Sequence, residues 1–283
     1  MNYFRKIRYF SIPDKVKIIK YSLGSFLVNS TPKGLKHSYH LLRLLDARGV
    51  RITKGKGFVN FRDPGTGFLV SLEQSSSDSQ VYEQIFMQEE YRAVLEAVAE
   101  YGIPMKTMID AGANVGFTTL YFKDQFHDLR VIAMERSPDV FKKLKRNVLN
   151  NQLKNVFLCP KGLWSSSARL KADRTFRDGQ DWSFRIVEAN ESERADIETL
   201  STNDLIELNE LVNIDFLKID IEGSEKQLFE SESLSWLDIT RVLAIEIHDE
   251  FNCRDDIEGK LREKGFRLSR SGELTVGVNQ NLF

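Results

Sequence analysis

From Thr107 onward, short apolar runs alternate with amphipathic stretches, and this alternation constrains the fold more than any other feature of the chain. The runs Thr107–Asp110, Val131–Glu135, Val156–Cys159, Asp215–Asp220 and Val242–His248 have the length of strands. Val131–Glu135 is nearly continuous in apolar character, as a strand buried on both faces must be. Between the runs, Gly116–Lys123 reads as a helix. Ser137 followed by Pro138 starts another, with the hydroxyl as cap and the proline where a missing N–H costs nothing. That helix turns Val140, Phe141, Leu144 and Val148 inward. The pattern predicts an α/β fold, a mostly parallel twisted sheet with helices on both faces. Asp255–Lys264 is a last helix, ended by Gly265. Phe266–Ser269 and Leu274–Val278, parted by Ser271-Gly272, predict a closing antiparallel hairpin.

Residues 1–80 read as an extension ahead of a main domain at 81–283. Val16–Val28 and Leu35–Leu45 are helical, and Val50–Ile52, Phe58–Phe61 and Phe68–Leu72 form a small β-meander. Val81–Tyr101 reads as one helix, closed before Pro104. Thr202–Leu211 is helical. Residues 164–196 are polar and irregular, with one strand candidate at Arg169–Ala172.

A net charge of -1 excludes the strong basic excess of most nucleic-acid binders, so no nucleic-acid partner is expected. Charge is uneven, however: residues 1–40 carry eight lysines and arginines against the single acid Asp14, with Tyr3, Phe4, Tyr9 and Phe10 among the first of them. Such a segment either rests on an anionic membrane surface or is a solvated helical face. Lys17 and Lys20 interrupt its apolar run, which is neither a membrane span nor a signal peptide. Two cysteines, Cys159 and Cys253, fit a reducing compartment, and a cytoplasmic location is expected. The oligomeric state stays open.

The first strand of the alternating region ends Ile109-Asp110-Ala111-Gly112-Ala113-Asn114-Val115-Gly116, a glycine-containing turn into a helix. Gly112 lets the backbone turn tightly and approach a ligand, and Gly116 lets the helix pack closely. The middle glycine of the dinucleotide fingerprint is absent. Asp110 would repel a pyrophosphate at the helix N-terminus, whereas it favours a ligand with an ammonium and a sulfonium, such as S-adenosylmethionine (SAM). Glu135, at the tip of the second strand, is placed to hold two ribose hydroxyls.

Phe216-Leu217-Lys218-Ile219-Asp220-Ile221-Glu222-Gly223-Ser224-Glu225 and Ile245-Glu246-Ile247-His248-Asp249 bring Asp220, Glu222, Glu246 and His248 toward one cleft mouth. A hydroxyl nucleophile benefits from a base, and His248 has the right kind of side chain. Two readings stand for each residue: Asp220 is catalytic or caps the next helix, and His248 is a base or structural. Asp220, Glu222 and Glu246 also offer oxygen ligands to Mg²⁺, but without a dense carboxylate triplet no metal is assigned.

Asp110–Gly116, Asn147-Val148-Leu149-Asn150-Asn151 and Leu217–Glu225 together resemble the FkbM family of SAM-dependent methyltransferases, over about Thr107 to Asp249. The resemblance implies a Rossmann-like class I methyltransferase fold and O-methylation of a hydroxyl on a small molecule, sugar or glycan. It implies cofactor contacts at Asp110, Gly112, Asn114, Gly116 and Glu135 and functional acids at Asp220 and Glu222. Their neighbours Ala111 and Arg136 join the candidate cofactor contacts, and His248 joins Asp220 and Glu222 as a catalytic candidate. One departure is that Arg136-Ser137 separate the strand-end acid from Pro138, where the family commonly has proline directly after the acid. The acceptor is read partly by residues 1–80 and partly by 164–196, where Trp182 is a candidate stacking residue. Two other functions stay open: a nicotinamide oxidoreductase, and a SAM-binding module without chemistry.

Overall fold

The computed structural model describes residues 6–24, 33–55, 57–173, 185–188, 197–231 and 233–283. The chain forms two compact units. The first takes in residues 1–90, 115–125 and 145–153, and the second residues 91–114, 126–144 and 154–283.

In the first unit, helices α1 (Ile12–Gly24) and α2 (Lys33–Ala47) pack together, and β1 (Ile52–Lys54), β2 (Phe58–Arg62) and β3 (Leu69–Glu73) form the expected antiparallel meander. Buried Asp14 holds α1 to its surroundings, accepting hydrogen bonds from Ser11, Ser38, Ser75 and Lys17. Helix α3 (Asp78–Phe86) places Tyr82 edge-on to Phe61, and its hydroxyl donates to buried Asp63. The predicted single helix 81–101 is two helices. The carbonyl of Glu83 accepts from the amides of both Met87 and Gln88, Glu89 takes φ +53°, and Glu90 accepts from the Gln84 side chain. The buried positions, Tyr82 and Ile85 before this stop and Val94 and Val98 after it, do not share one helical phase, so the two stretches cannot be one amphipathic helix.

The second unit opens with α4 (Arg92–Glu100) and is built on one seven-stranded sheet. Its strands β4 (Thr107–Ala111), β5 (Arg130–Met134) and β6 (Val156–Cys159) precede a small separate sheet, β7 (Gly162–Trp164), β8 (Arg169–Asp173), β9 (Arg185–Glu188) and β10 (Ile197–Ser201). The main sheet resumes with β11 (Ile214–Ile219), β12 (Thr240–Glu246), β13 (Phe266–Ser271) and β14 (Leu274–Asn279), in spatial order β13-β14-β12-β11-β4-β5-β6. The five strands β12, β11, β4, β5 and β6 run parallel in four neighbour pairs, and β14 pairs antiparallel with both β12 and β13, closing the sheet with the hairpin. In chain order, α5 (Phe117–Gln125), which belongs to the first unit, follows β4, and α6 (Pro138–Asn150), whose first half alone belongs to the second unit, follows β5. In α6, Leu144, Asn147 and Val148 are buried, while Val140 and Phe141 are half-buried.

The chain runs from β4 outward to β5 and β6, then returns to β11 on the other side of β4. The switch point therefore lies between β4 and β11, where open α/β sheets bind ligands. All six residues of β11 are buried, including Asp215 and Lys218. Asp215 is satisfied at the far end of the strand by the amides of Lys106 (2.7 Å) and Thr107 (3.0 Å) and by Arg241 (3.3 Å). Three further helices, α7 (Thr202–Leu208), α8 (Glu225–Phe229) and α9 (Arg254–Glu263), complete the unit. Ser201 caps α7, accepting from the Asp204 amide at 3.0 Å. Trp236 meets Phe229 edge-on at 5.5 Å within the core.

Of the stretch that the sequence presents as irregular, 174–184 and 189–196 lie outside the described residues, and part of the rest belongs to the small sheet. Its strands are three to five residues long, and β10 pairs in parallel with β7 and antiparallel with β8. Among the described residues no helix is long and apolar enough to cross a membrane.

Candidate functional site

The turn after β4 is fixed by its contact with the turn after β11. Gly112 has φ +78°, and a Cβ there would lie 1.7 Å from the carbonyl oxygen of Asp220. Only glycine permits backbone to meet backbone this closely. The Asp220 amide donates to the Ala111 carbonyl at 3.1 Å, closing the two strand ends together. Asn114 continues the turn with φ +50°, a left-handed conformation that asparagine tolerates better than most residues. Gly116, with φ +89°, precedes α5 and its carbonyl accepts the Leu120 amide.

Lys218 lies beneath this junction, nearly without solvent contact. Its Nζ donates to the Gly112 carbonyl (2.6 Å) and stands 3.3 Å from Asp220 Oδ2 and 3.8 Å from Asp110 Oδ1. Burial opposes its charge, but Asp220, Tyr91 and Asp110 outweigh that effect and hold its pKa above the ordinary lysine value. The surroundings therefore favour its ammonium form. Asp110 is fully buried and does not line the cleft; it is one of the two carboxylates that flank this lysine. The sequence makes Asp110 a direct cofactor contact, whereas the structure buries it away from the cleft wall, next to a cation that the sequence leaves unassigned. A charged residue inside an otherwise apolar strand was the available signal.

A cleft of about 220 Å³ opens beyond these strand ends. Gly112, Asn114, Glu135, Arg136, Asp220 and Glu222 line it, so six of the predicted site residues converge. Met134, Val140 and Leu163 give it an apolar wall, and Trp164, Leu170, Ile197 and Thr199 come from the small sheet. Glu135 is held from below: Oε2 accepts the Asn114 amide (3.1 Å) and Oε1 the Ser137 amide (2.7 Å). Burial raises its pKa, these two amides lower it, and the balance stays above the ordinary carboxylate value. Trp182 lies outside the described residues; Trp164 is the tryptophan that lines the cleft.

His248 and Glu246 do not line the cleft. His248 Nδ1 is 3.4 Å from Glu225 Oε1, and Nε2 is 3.9 Å from Glu222 Oε2. Glu225, buried in the first turn of α8, pushes the histidine pKa up to about 9 against the effect of burial. This favours the cationic form of His248 at neutral pH and, of the two sequence readings, fits the structural one better than the base. It bridges the end of β12 to the loop after β11, where Glu225 also accepts the Ile221 amide at 3.0 Å. Glu222 takes φ +56° and is largely exposed. Among the described residues no group of three or more His, Cys, Asp or Glu side chains is arranged to hold a metal ion.

Comparison with known proteins adds a second line of observation. The pattern described as the methyltransferase FkbM domain matches residues 110–268. Methyltransferase sdnD of Sordaria araneosa is 25% identical over 194 residues, covering 58% of this chain and 74% of its own. Methyltransferase 1 of Beauveria bassiana is 22% identical over 180 residues, covering 57% and 72%. Among solved structures, the N-terminal domain of human METTL16 in complex with SAH aligns over 89% of this chain and 83% of its own, at 11% identity and a TM-score of 0.43.

Two outcomes test this geometry. Lys218→Met leaves two carboxylates facing each other without their cation and should lower the unfolding free energy by ~3–5 kcal/mol, read by urea denaturation. The His248–Glu225 pair should stabilise the fold fully below about pH 6.5, the ordinary histidine value. That contribution fades as pH rises through about 9. In His248→Gln the loss of stability across this window should disappear, as monitored by thermal unfolding at a series of pH values.

Proposed function

We propose, for a chain that belongs to the FkbM methyltransferase family, that the cleft binds SAM and that the protein methylates a hydroxyl oxygen of a small molecule, sugar or glycan. The observation that carries this reading is Glu135. Each of its oxygens accepts one backbone amide and keeps a second lone pair for a ligand. Its raised pKa marks a carboxylate whose burial is only partly offset. Two hydroxyl donors from a ribose would complete its hydrogen bonding and favour its charged form.

The rest of the cleft fits the same ligand. Met134, Val140 and Leu163 suit the face of a purine. Asp110, Lys218 and Asp220 together hold two carboxylates to one ammonium, and Glu222 adds a third acid at the mouth. Arg136 and Lys161 also line the cleft, so with Lys218 three cations stand against Asp110, Glu135, Asp220 and Glu222. The small negative excess suits a ligand with an ammonium and a sulfonium better than a diphosphate. The glycine-tight turn at Gly112 and Asn114 keeps these groups in fixed register.

Bound SAM supplies an electrophilic methyl group on a positively charged sulfur. The chain's own part is positioning and proton transfer. Asp220 is the carboxylate at both the switch point and the cleft wall, where it would accept the proton of the acceptor hydroxyl as the methyl group leaves sulfur for oxygen and the thioether departs neutral. Lys218 holds that carboxylate in place from behind. Cationic His248 restrains Glu222 and Glu225 and so fixes the loop after Asp220. Trp164 offers an aromatic face for a sugar ring on the acceptor side.

Mass spectrometry of the purified protein should find co-purified SAM or S-adenosylhomocysteine, and small-molecule extracts incubated with SAM should gain one methyl group. Binding of nicotinamide dinucleotide instead would overturn the assignment. Glu135→Gln should weaken S-adenosylhomocysteine binding roughly 10–100-fold by calorimetry, since hydrogen bonds to a charged acceptor contribute about 1.5–3 kcal/mol. Asp220→Asn should cut turnover by about 10²–10⁴, the range of general base catalysis, and change cofactor affinity far less.

A further inference from the structure

We propose that helix α1 is a membrane-surface helix, which lies along an anionic bilayer with Ile12, Val16 and Ile19 among the acyl chains and Lys15 and Lys20 at the headgroups. This inference concerns the first unit and does not rest on the reading of the cleft. Ile12 is 78% exposed, Val16 44% and Ile19 46%. Their spacing of four and three residues puts them on one stripe of the helix, away from the face that buries Asp14 and Ile18. A stripe of exposed branched aliphatic side chains on one helix marks an interaction surface.

Charge names the occupant. Described residues 6–24 carry Lys6, Arg8, Lys15, Lys17 and Lys20 against one acid. That acid, Asp14, is buried and takes up Lys17 at 3.2 Å together with three hydroxyls. The outward surface of α1 therefore presents cations and aliphatic groups and no carboxylate. Lys15 and Lys20 flank the apolar stripe, where long amphipathic side chains lay their stems along the acyl boundary and keep their ammonium groups at the phosphates. In the same unit, Lys6, Arg8, Tyr9 and Arg51 line a shallow basin of about 520 Å³ with no acid in its wall. Among the described residues, Lys6 is the one of its cations near an acid, at 4.0 Å from Asp46.

A nucleic-acid backbone would meet this cationic surface equally well but has no use for three aliphatic side chains at its centre. A bilayer surface with anionic lipids matches both halves of the pattern. At thirteen residues α1 is too short to span a bilayer, so it lies on the surface.

Vesicle sedimentation of the full chain tests this. The protein should pellet with vesicles of phosphatidylcholine and phosphatidylserine at least tenfold more strongly than with phosphatidylcholine alone, and less as salt is raised. The double variant Ile12→Asp with Val16→Asp should lose that binding at least tenfold. Lys15→Glu with Lys20→Glu should lose both the binding and its salt dependence. Should circular dichroism show helix loss in the aspartate pair, Ile12→Ser with Val16→Ser takes its place. A wild-type chain left in the supernatant overturns the proposal, as does an apolar-stripe variant that pellets like wild type. Sedimentation velocity that finds a dimer abolished by the same variants, without vesicle binding, assigns the stripe to a second copy and also overturns it.

Discussion

The ammonium of Lys218, buried between the carboxylates of Asp110 and Asp220, is the interaction on which the second unit's functional end depends. Strands β4 and β11 meet there at the switch point of the sheet, and each brings an acid to its tip. Two carboxylates in so dry a place repel one another unless a cation stands between them. Lys218 fills that place and adds a hydrogen bond to the Gly112 carbonyl, so one side chain sets both the electrostatic balance and the spacing of the two turns. Gly112 is the complementary condition, since any side chain would collide with the Asp220 carbonyl.

The two acids of this junction have different environments and hence different uses. Asp110 has no exposure and works through Lys218, whereas Asp220 is partly exposed and lines the cleft. Glu135 is intermediate: nearly buried, tied to the Asn114 and Ser137 amides, yet on the wall of the same cleft. On the other flank, Glu225 raises the pKa of His248 and favours its cationic form. The loop carrying Glu222 is thereby restrained by charge as well as by its left-handed backbone.

The small sheet β7-β10-β8-β9 supplies Leu163, Trp164, Leu170, Ile197 and Thr199 to the cleft. This makes an insert between β6 and β11 a wall of the site, in keeping with the way α/β proteins vary specificity through segments added at strand ends. The first unit carries a different kind of surface, in which one buried acid leaves the outward face of α1 both apolar and cationic.

Local chemistry determined much of this protein. Alternating short apolar and amphipathic runs fixed the α/β class, the closing hairpin and the identity of the strand tips, because burial on both faces and the 3.6-residue period leave direct marks on a sequence. The acids at those tips were legible for the same reason. What the tertiary structure decided were relations between residues far apart in the chain. The stop at Glu89, the three-to-five-residue strands of the small sheet, the cation between Asp110 and Asp220 and the partner that charges His248 all depend on groups that spacing does not bring together. A side chain's type is written locally, but its charge state and its access to a ligand are set by what packs against it, and only the folded chain determines that.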